Sequence, residues 1–289
     1  MNKILLAGAT GYLGRYILKE LIRTSQQTRI IVRNPKKINP EFAKNSLLEI
    51  HTAELTKPES ISNCCKGIDI VISTVGITKQ KDGLTYMDVD YQANLHLLKE
   101  AQKSGVKKFI YVSVLNGNKL KHIAICHAKE KFVLALKNSG LDYCIIRPNG
   151  FFSDMTEFYN MARKGSIYLF GDGTLKANPI HGEDLAKECV KTMDNDISEL
   201  VIGGPETLNQ NEIAKIAFDS VGKEPKITHI PDWIRGLVLR IAKLFFSKPK
   251  FGPIEFFMTV TAIDMVAPEY GKQTLKEYFD ELNTAHNKN

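Results

Sequence analysis

Short apolar runs and amphipathic runs take turns along the first half of the chain. KILLA (3–7) is a compact apolar run, and RYILKELIRT (15–24) follows with apolar residues at helical spacing. TRIIVRN (28–34) reads as a second strand, 47–51 as a weak third, and 58–66 as a helix. DIVISTV (69–75) has the branched, unbroken apolar character of a strand buried on both faces. Residues 88–104 read as a helix, KKFIYVSV (107–114) as a strand, 127–138 as a helix, and LDYCIIRP (141–148) as a strand closed by proline. Alternating strand and helix predict an α/β fold on a doubly wound parallel sheet.

The alternation fades after residue 150. ELVIGG (199–204) reads as a strand that rejoins the sheet, so the core is expected over 1–150 and again over 178–204. The pieces 151–177 and 205–289 then form a smaller C-terminal substrate lobe. Phe151, Phe152, Met155, Phe158 and Tyr159 recur at helical spacings within it. They suit a lobe core as well as they suit a flat or apolar substrate.

Ligands of such sheets sit at the carboxyl ends of the strands. The segment GATGYLG joins the first strand to the first helix, with glycines at 8, 11 and 14. Gly8 permits a sharp turn, Gly11 lets backbone approach a pyrophosphate, and Gly14 lets the helix pack close to the strand. The helix start then offers unpaired amides and a positive dipole to phosphate. The second strand ends at Arg33, where an acidic residue would bind the ribose hydroxyls of NAD. A guanidinium there, followed by Asn34, Lys36 and Lys37, grips a 2′-phosphate instead, which predicts NADP(H). The strand ends also place Ser73, Thr74, Val75, Gly76, Ser113, Pro148, Asn149, Gly150 and Phe151 around the same crevice.

Composition narrows the picture. A length of 289 residues allows one large domain or a core with a lobe, and a formal net charge of +7 suits an anionic ligand or surface. The lysines are scattered and no nucleic-acid motif accompanies them, so no nucleic-acid partner is expected. The odd set Cys64, Cys65, Cys126, Cys144 and Cys189 matches no metal spacing. Free thiols in a reducing, cytoplasmic setting and no metal are the expectation. The start MNKILLAGATGYLG reads as no signal peptide, and no stretch of about 20 uncharged apolar residues suggests a spanning helix.

Together GATGYLG, the Arg-ended second strand, VISTVG, FIYVSV, AKEKF and IIRPNGFF resemble an atypical short-chain dehydrogenase/reductase of the NmrA-like, extended type. FGDGTLKANPIHGEDLA (170–186), VIGGPETL (201–208), GKEPKI (222–227) and YGKQTLKEYF (270–279) look most like the branch holding the divinyl chlorophyllide 8-vinyl reductases. The resemblance implies a Rossmann fold. It also implies NADPH bound by Thr10, Gly11, Tyr12, Leu13, Gly14 and Arg33, with Glu54 and Leu55 where an Asp-Leu pair meets the adenine. Ser73 to Gly76 would pass beneath the cofactor ribose, and Lys129 would bond the nicotinamide ribose.

In the wider superfamily a tyrosine four residues before this lysine donates a proton to the substrate, yet IAICHAKEKF (123–132) has Ile125 there. Only positions three or four apart share a helix face, so Cys126 is the local candidate, with a thiol pKa depressed by Lys129. Ser113 joins Lys129 and Cys126 in the candidate chemical set, and Tyr86, Tyr91 and Tyr111 approach from the crevice side. Two readings follow. One is an NADPH-dependent oxidoreductase passing hydride to an apolar or conjugated small molecule, with vinyl or other C=C reduction included. The other is a cofactor-binding redox sensor or assembly protein without turnover. DWIRGLVLRIAKLFFSKPKF (232–251) is basic and amphipathic. It suits packing against the lobe, a second subunit of a homodimer, or the surface of a membrane.

Overall fold

The computed structural model describes residues 2–80 and 83–287. In chain order run β1 (Lys3–Ala7), α1 (Tyr12–Arg23), β2 (Gln27–Val32), the single-turn α2 (Pro40–Ala43), β3 (Leu48–Thr52) and β4 (Ile70–Ser73). Next come α3 (Asn94–Lys103), β5 (Lys108–Val112), α4 (Ala124–Lys137), β6 (Asp142–Pro148), α5 (Phe152–Lys164), β7 (Ile167–Phe170) and β8 (Lys176–Ala177). The chain closes with α6 (Gly182–Lys191), β9 (Glu199–Ile202), β10 (Leu208–Asn209), α7 (Gln210–Val221), β11 (Ile227–Ile230), α8 (Asp232–Phe245), α9 (Lys248–Val260) and α10 (Leu275–Asn287).

Seven strands form one sheet in the order β3-β2-β1-β4-β5-β6-β9. Neighbouring strands among the first six all run parallel. The amides of Ile145 and Asn149 reach the carbonyls of Ser198 and Ile202, so β9 joins in the same direction. The doubly wound parallel Rossmann sheet read from the sequence is therefore present, and 199–202 does return to it. The physical cause is the one the pattern suggested. Ile4, Leu5, Leu6, Val71, Ile72, Phe109, Ile110, Ile145 and Ile146 have no solvent exposure, as strands covered on both faces require.

Two stretches differ from the reading. Residues 58–66 hold only a 3₁₀ turn over Pro58–Ile61, where Pro58 fixes the first turn and Asn63 adopts a left-handed φ of 61° that ends it. The helix expected over 88–104 opens with a π-helical turn, Met87–Ala93, before α3 begins.

The chain divides into two compact units. One comprises the residues up to Arg147 together with Leu185–Leu200, and the other Pro148–Asp184 together with the chain from Val201 onward. Residues 178–184 thus side with the second unit. Asn178 donates to the Ala267 carbonyl at 2.7 Å, and Asp184 accepts from the amides of Lys272 and Gln273 at 2.9 and 3.1 Å. Asp184 is buried, so it does more than favour a helix start. Phe152, Phe158 and Tyr159 are buried with Phe218 and Phe279 in the second unit's own core. The aromatic series at 151–159 is thereby explained mainly as core, with Phe151 and Met155 half-buried.

Candidate active site

The register of the first unit brings the glycine turn, Arg33 and the loop after β4 to one edge. Ala7 pairs with Ile31 on one side and Ser73 on the other, so Gly8, Arg33 and Thr74 leave the sheet together where the strand order reverses. Gly8 has φ 88°, and a Cβ on it would stand 2.4 Å from Thr74 Oγ1. A Cβ on Gly14 would stand 2.0 Å from the Gly8 carbonyl oxygen, so α1 lies directly against the turn. Both positions exclude any larger residue. Gly11 donates its amide to the Gly8 carbonyl at 2.9 Å and caps α1 without a side-chain acceptor. The first-turn amides and the helix dipole are left for an anion.

Thr10 and Gly11 are exposed at this turn, Tyr12 is half-buried, and Leu13 and Gly14 are buried. Leu13 can therefore serve a ligand only through its backbone. A cavity of about 330 Å³ opens beside the turn, lined among others by Thr10, Arg15, Lys37 and Asn39. Arg33 is exposed just past the end of β2, and its side chain forms no hydrogen bond or ion pair among the described residues. These donors fit the phosphates of a dinucleotide. Glu54 is less ready for an adenine. It pairs with Lys57 at 2.7 Å and accepts from Thr56 at 3.1 Å, and Lys57 holds its carboxyl below the ordinary range. The Leu55 carbonyl is engaged by His96 Nδ1 at 3.1 Å.

The loop 73–76 is bound to the π-helical turn behind it. Buried Ser73 donates to Asn94 Oδ1 at 2.6 Å, and Asn94 Nδ2 donates to the carbonyls of Val75 and Asp90 at 3.1 and 3.0 Å. Gly76 then lies over an ion pair that the sequence did not suggest. Lys129 Nζ on α4 stands 3.0 Å from Asp90 Oδ1, with side chains 13% and 0% exposed. A Cβ on Gly76 would come within 2.6 Å of that oxygen and 2.8 Å of that nitrogen. Asp90 Oδ1 has no hydrogen-bond partner among the described residues, Oδ2 accepts from the Ile77 amide at 3.2 Å, and Lys129 supplies the compensating charge.

Burial works to lower the Lys129 pKa, and Tyr111 and Asp90 beside it more than reverse this, so it lies above the ordinary lysine value. Burial also pushes Asp90 up, against Lys129. The charged pair is the state that fits the contact, since a proton on Asp90 would strand a nearly buried ammonium.

Ile125 is buried where a tyrosine was sought. Cys126 is fully buried, and its thiol is pushed up to about 12 because burial outweighs the opposing charge of Lys129. The depressed thiol pKa expected there is corrected on that ground. Ser113 is committed elsewhere, with Oγ 3.3 Å from Glu130 Oε1 and 3.5 Å from Arg147 Nη1. Of the three tyrosines, Tyr86 donates to the Thr78 carbonyl at 2.7 Å and Tyr91 carries Lys131 over its ring at 4.5 Å. Only Tyr111 meets Lys129, whose Nζ lies 5.6 Å from its ring centroid. Its hydroxyl is fully buried, lacks a hydrogen bond among the described residues, and is pushed up to about 12 by burial. It can act on Lys129 but cannot touch a substrate.

Pro148, Asn149, Gly150 and Phe151 fall at the start of the second unit. Asn149 is buried there, donating to Asn178 Oδ1 at 2.7 Å and accepting from the Gly150 amide at 2.7 Å. Its side chain is structural. The Phe151 amide is held by Asp154 at 2.9 Å.

Sequence reasoning missed Asp90, Asn94 and Arg15. A signal existed for the first two. They are polar residues four apart on a face otherwise marked by Val89, Ala93, Leu97 and Leu98, all buried.

A profile described as NAD(P)H-binding matches residues 8–196. Divinyl chlorophyllide a 8-vinyl-reductase of Arabidopsis thaliana is 29% identical across 96% of this chain and 76% of its own length. Photosystem II assembly factor Ycf39 of Trieres chinensis is 27% identical across 84% of this chain and 76% of its own. Isoflavone reductase has the same fold, with a TM-score of 0.72 at 18% identity over 97% of this chain and 99% of that one. So does the NADPH-dependent quinone oxidoreductase QOR2 of Escherichia coli, solved with NADPH, at 0.72 and 16% identity over 96% and 99%. The likeness to an atypical short-chain dehydrogenase/reductase near the vinyl reductase branch is borne out.

Proposed function

We propose that this chain, which belongs to the NAD(P)H-binding family, is an NADPH-dependent oxidoreductase acting on an apolar or conjugated small molecule. What carries the reading is one run of close approaches in the first unit. Gly8 abuts Thr74, and Gly76 abuts Lys129, so the loop 73–76 links the phosphate-holding turn to a charged lysine. When bound, the cofactor supplies hydride. The amides of the glycine turn hold its pyrophosphate, and Arg33 grips the 2′-phosphate that distinguishes NADPH from NADH. Lys129 donates hydrogen bonds to the ribose and keeps a positive charge beside it, held in place by Asp90. Among the described residues, Ile125, Cys126 and Tyr111 are all buried, so water supplies the proton. That suits reduction of a polarised C=C bond or a quinone, whose product can be protonated from solvent. The relatives named as reductases support the same class.

A second reading draws on Ile125. With Ile125 in place of the tyrosine four residues before Lys129, the chain would bind cofactor and signal or assist assembly without turnover, as the name of the Ycf39 relatives would suggest. Incubating the protein with NADPH and a panel of quinones, conjugated ketones and vinyl tetrapyrroles separates the two. Cofactor oxidation with at least one class, lowered at least about a hundredfold in Lys129→Ala, is the expected result. Tight NADPH binding with no oxidation across the panel would hand the assignment to the second reading.

A further inference from the structure

Helix α8 presents an apolar face that its own unit leaves uncovered. Arg235 and Ala242 are buried on one side, and Arg235 donates to the Met258 carbonyl at 3.2 Å, pairs with Asp232 and stacks over Phe170. This fixes the helix's rotation. The opposite side carries Trp233, Leu237, Ile241 and Leu244 at spacings of four, four and three, one continuous stripe. Trp233 is 71% exposed, and Leu244 and Phe245 are 81% and 80% exposed. Phe246 just beyond the helix and Phe257 on α9 are exposed as well. Packing against the lobe, one of the roles the sequence allowed, is therefore met by the other side only.

The charges around the stripe decide what covers it. Residues 232–251 hold five cations and one carboxylate, and that carboxylate, Asp232, is taken by Arg235. Arg240, Lys243, Lys248 and Lys250 are exposed, and their side chains form no ion pair among the described residues. A second copy docking through this face about a two-fold axis would bring these cations against their own counterparts. An anionic bilayer meets both features at once, taking the apolar stripe at its acyl boundary and the cations at its headgroups. Over 14 residues α8 is about 21 Å long, and no described helix is long and apolar enough to cross a membrane. We infer that α8 is a peripheral membrane-docking helix that lies on an anionic lipid surface through Trp233, Leu237, Ile241, Leu244 and Phe245. This goes beyond the cofactor site and does not depend on it.

Trp233 is the chain's only tryptophan, so its emission reports this face alone. The full-length protein should float with vesicles containing phosphatidylglycerol, and its emission should shift to the blue. Pure phosphatidylcholine vesicles should bind it far less. Lys243→Glu should lower the partition coefficient by at least about fivefold. The double variant Leu244→Glu/Phe245→Glu should abolish flotation and the shift while its circular dichroism and NADPH binding stay unchanged. Protein that remains at the bottom of the gradient with unshifted emission overturns the inference. So does flotation that survives in the double variant, or a lipid-free shift that tracks self-association, which would give the face to a second copy.

Discussion

Consecutive residues of α4, Lys129 and Glu130, each belong to a buried ion pair, and the two pairs are built differently. Arg147 reaches both carboxylate oxygens of Glu130, at 2.5 and 3.1 Å, and donates from Nε to Glu199 at 2.5 Å. Ser113 and the Val114 carbonyl complete that network at 3.5 and 3.4 Å. Lys129 has one carboxylate, whose Oδ2 accepts from the Ile77 amide at 3.2 Å, and among the described residues Asp90 Oδ1 and the Tyr111 hydroxyl beside it have no hydrogen-bond partner. A saturated network specifies packing, whereas an under-satisfied buried group calls for a reason other than packing. On the proposed function, these two neighbouring side chains divide between architecture and chemistry.

Exchanging the site of damage sharpens this contrast. Lys129→Ala combined with Asp90→Asn, which leaves no stranded carboxylate, should lower turnover by about a hundredfold to ten-thousandfold with a modest stability loss, read by cofactor oxidation beside chemical denaturation. Arg147→Ala should do the reverse, costing about 3–5 kcal/mol of unfolding free energy because it strands Glu130, while the surviving folded fraction still binds NADPH. Equal stability losses in both variants would erase the distinction.

Asp90→Asn is the finer probe. It keeps the shape and removes the charge that raises Lys129, so the lysine's pKa falls. Wild-type turnover should show no alkaline loss below about pH 10, and the variant's alkaline limb should move to lower pH, with kcat affected more than KM. Asp90→Glu should restore the profile in part, which a purely structural role would not produce. The smallest effect concerns the thiols. Cys64, Cys65, Cys126, Cys144 and Cys189 are all buried, and burial raises Cys126, so a thiol reagent at pH 8 should titrate none in the folded protein and all five after denaturation.

Much of this was legible in the chain. Gly8 and Gly14 announced themselves because the turn admits nothing larger, and the sheet announced itself because buried strands need unbroken apolar runs. Arg33 followed from its distance past the turn. Asp90 did not, because its partner is distant in sequence and only the π-helical turn and Gly76 bring the two together. Cys126 stands near Lys129 as the helix spacing predicts, yet burial raises its pKa, since a sequence shows neighbours on a helix and not the depth of burial. The open face of α8 was equally hidden, because an amphipathic pattern does not say which side the protein covers.

On the proposed function, the edge formed by Gly8, Arg33 and the 73–76 loop holds NADPH. Calorimetric titration with NADPH and NADH tests it most directly. Tight NADPH binding, much weaker NADH binding, and a loss of about tenfold to a hundredfold for NADPH alone in Arg33→Ala are the expected results. Binding of neither nucleotide, or equal losses for both in that variant, would contradict it.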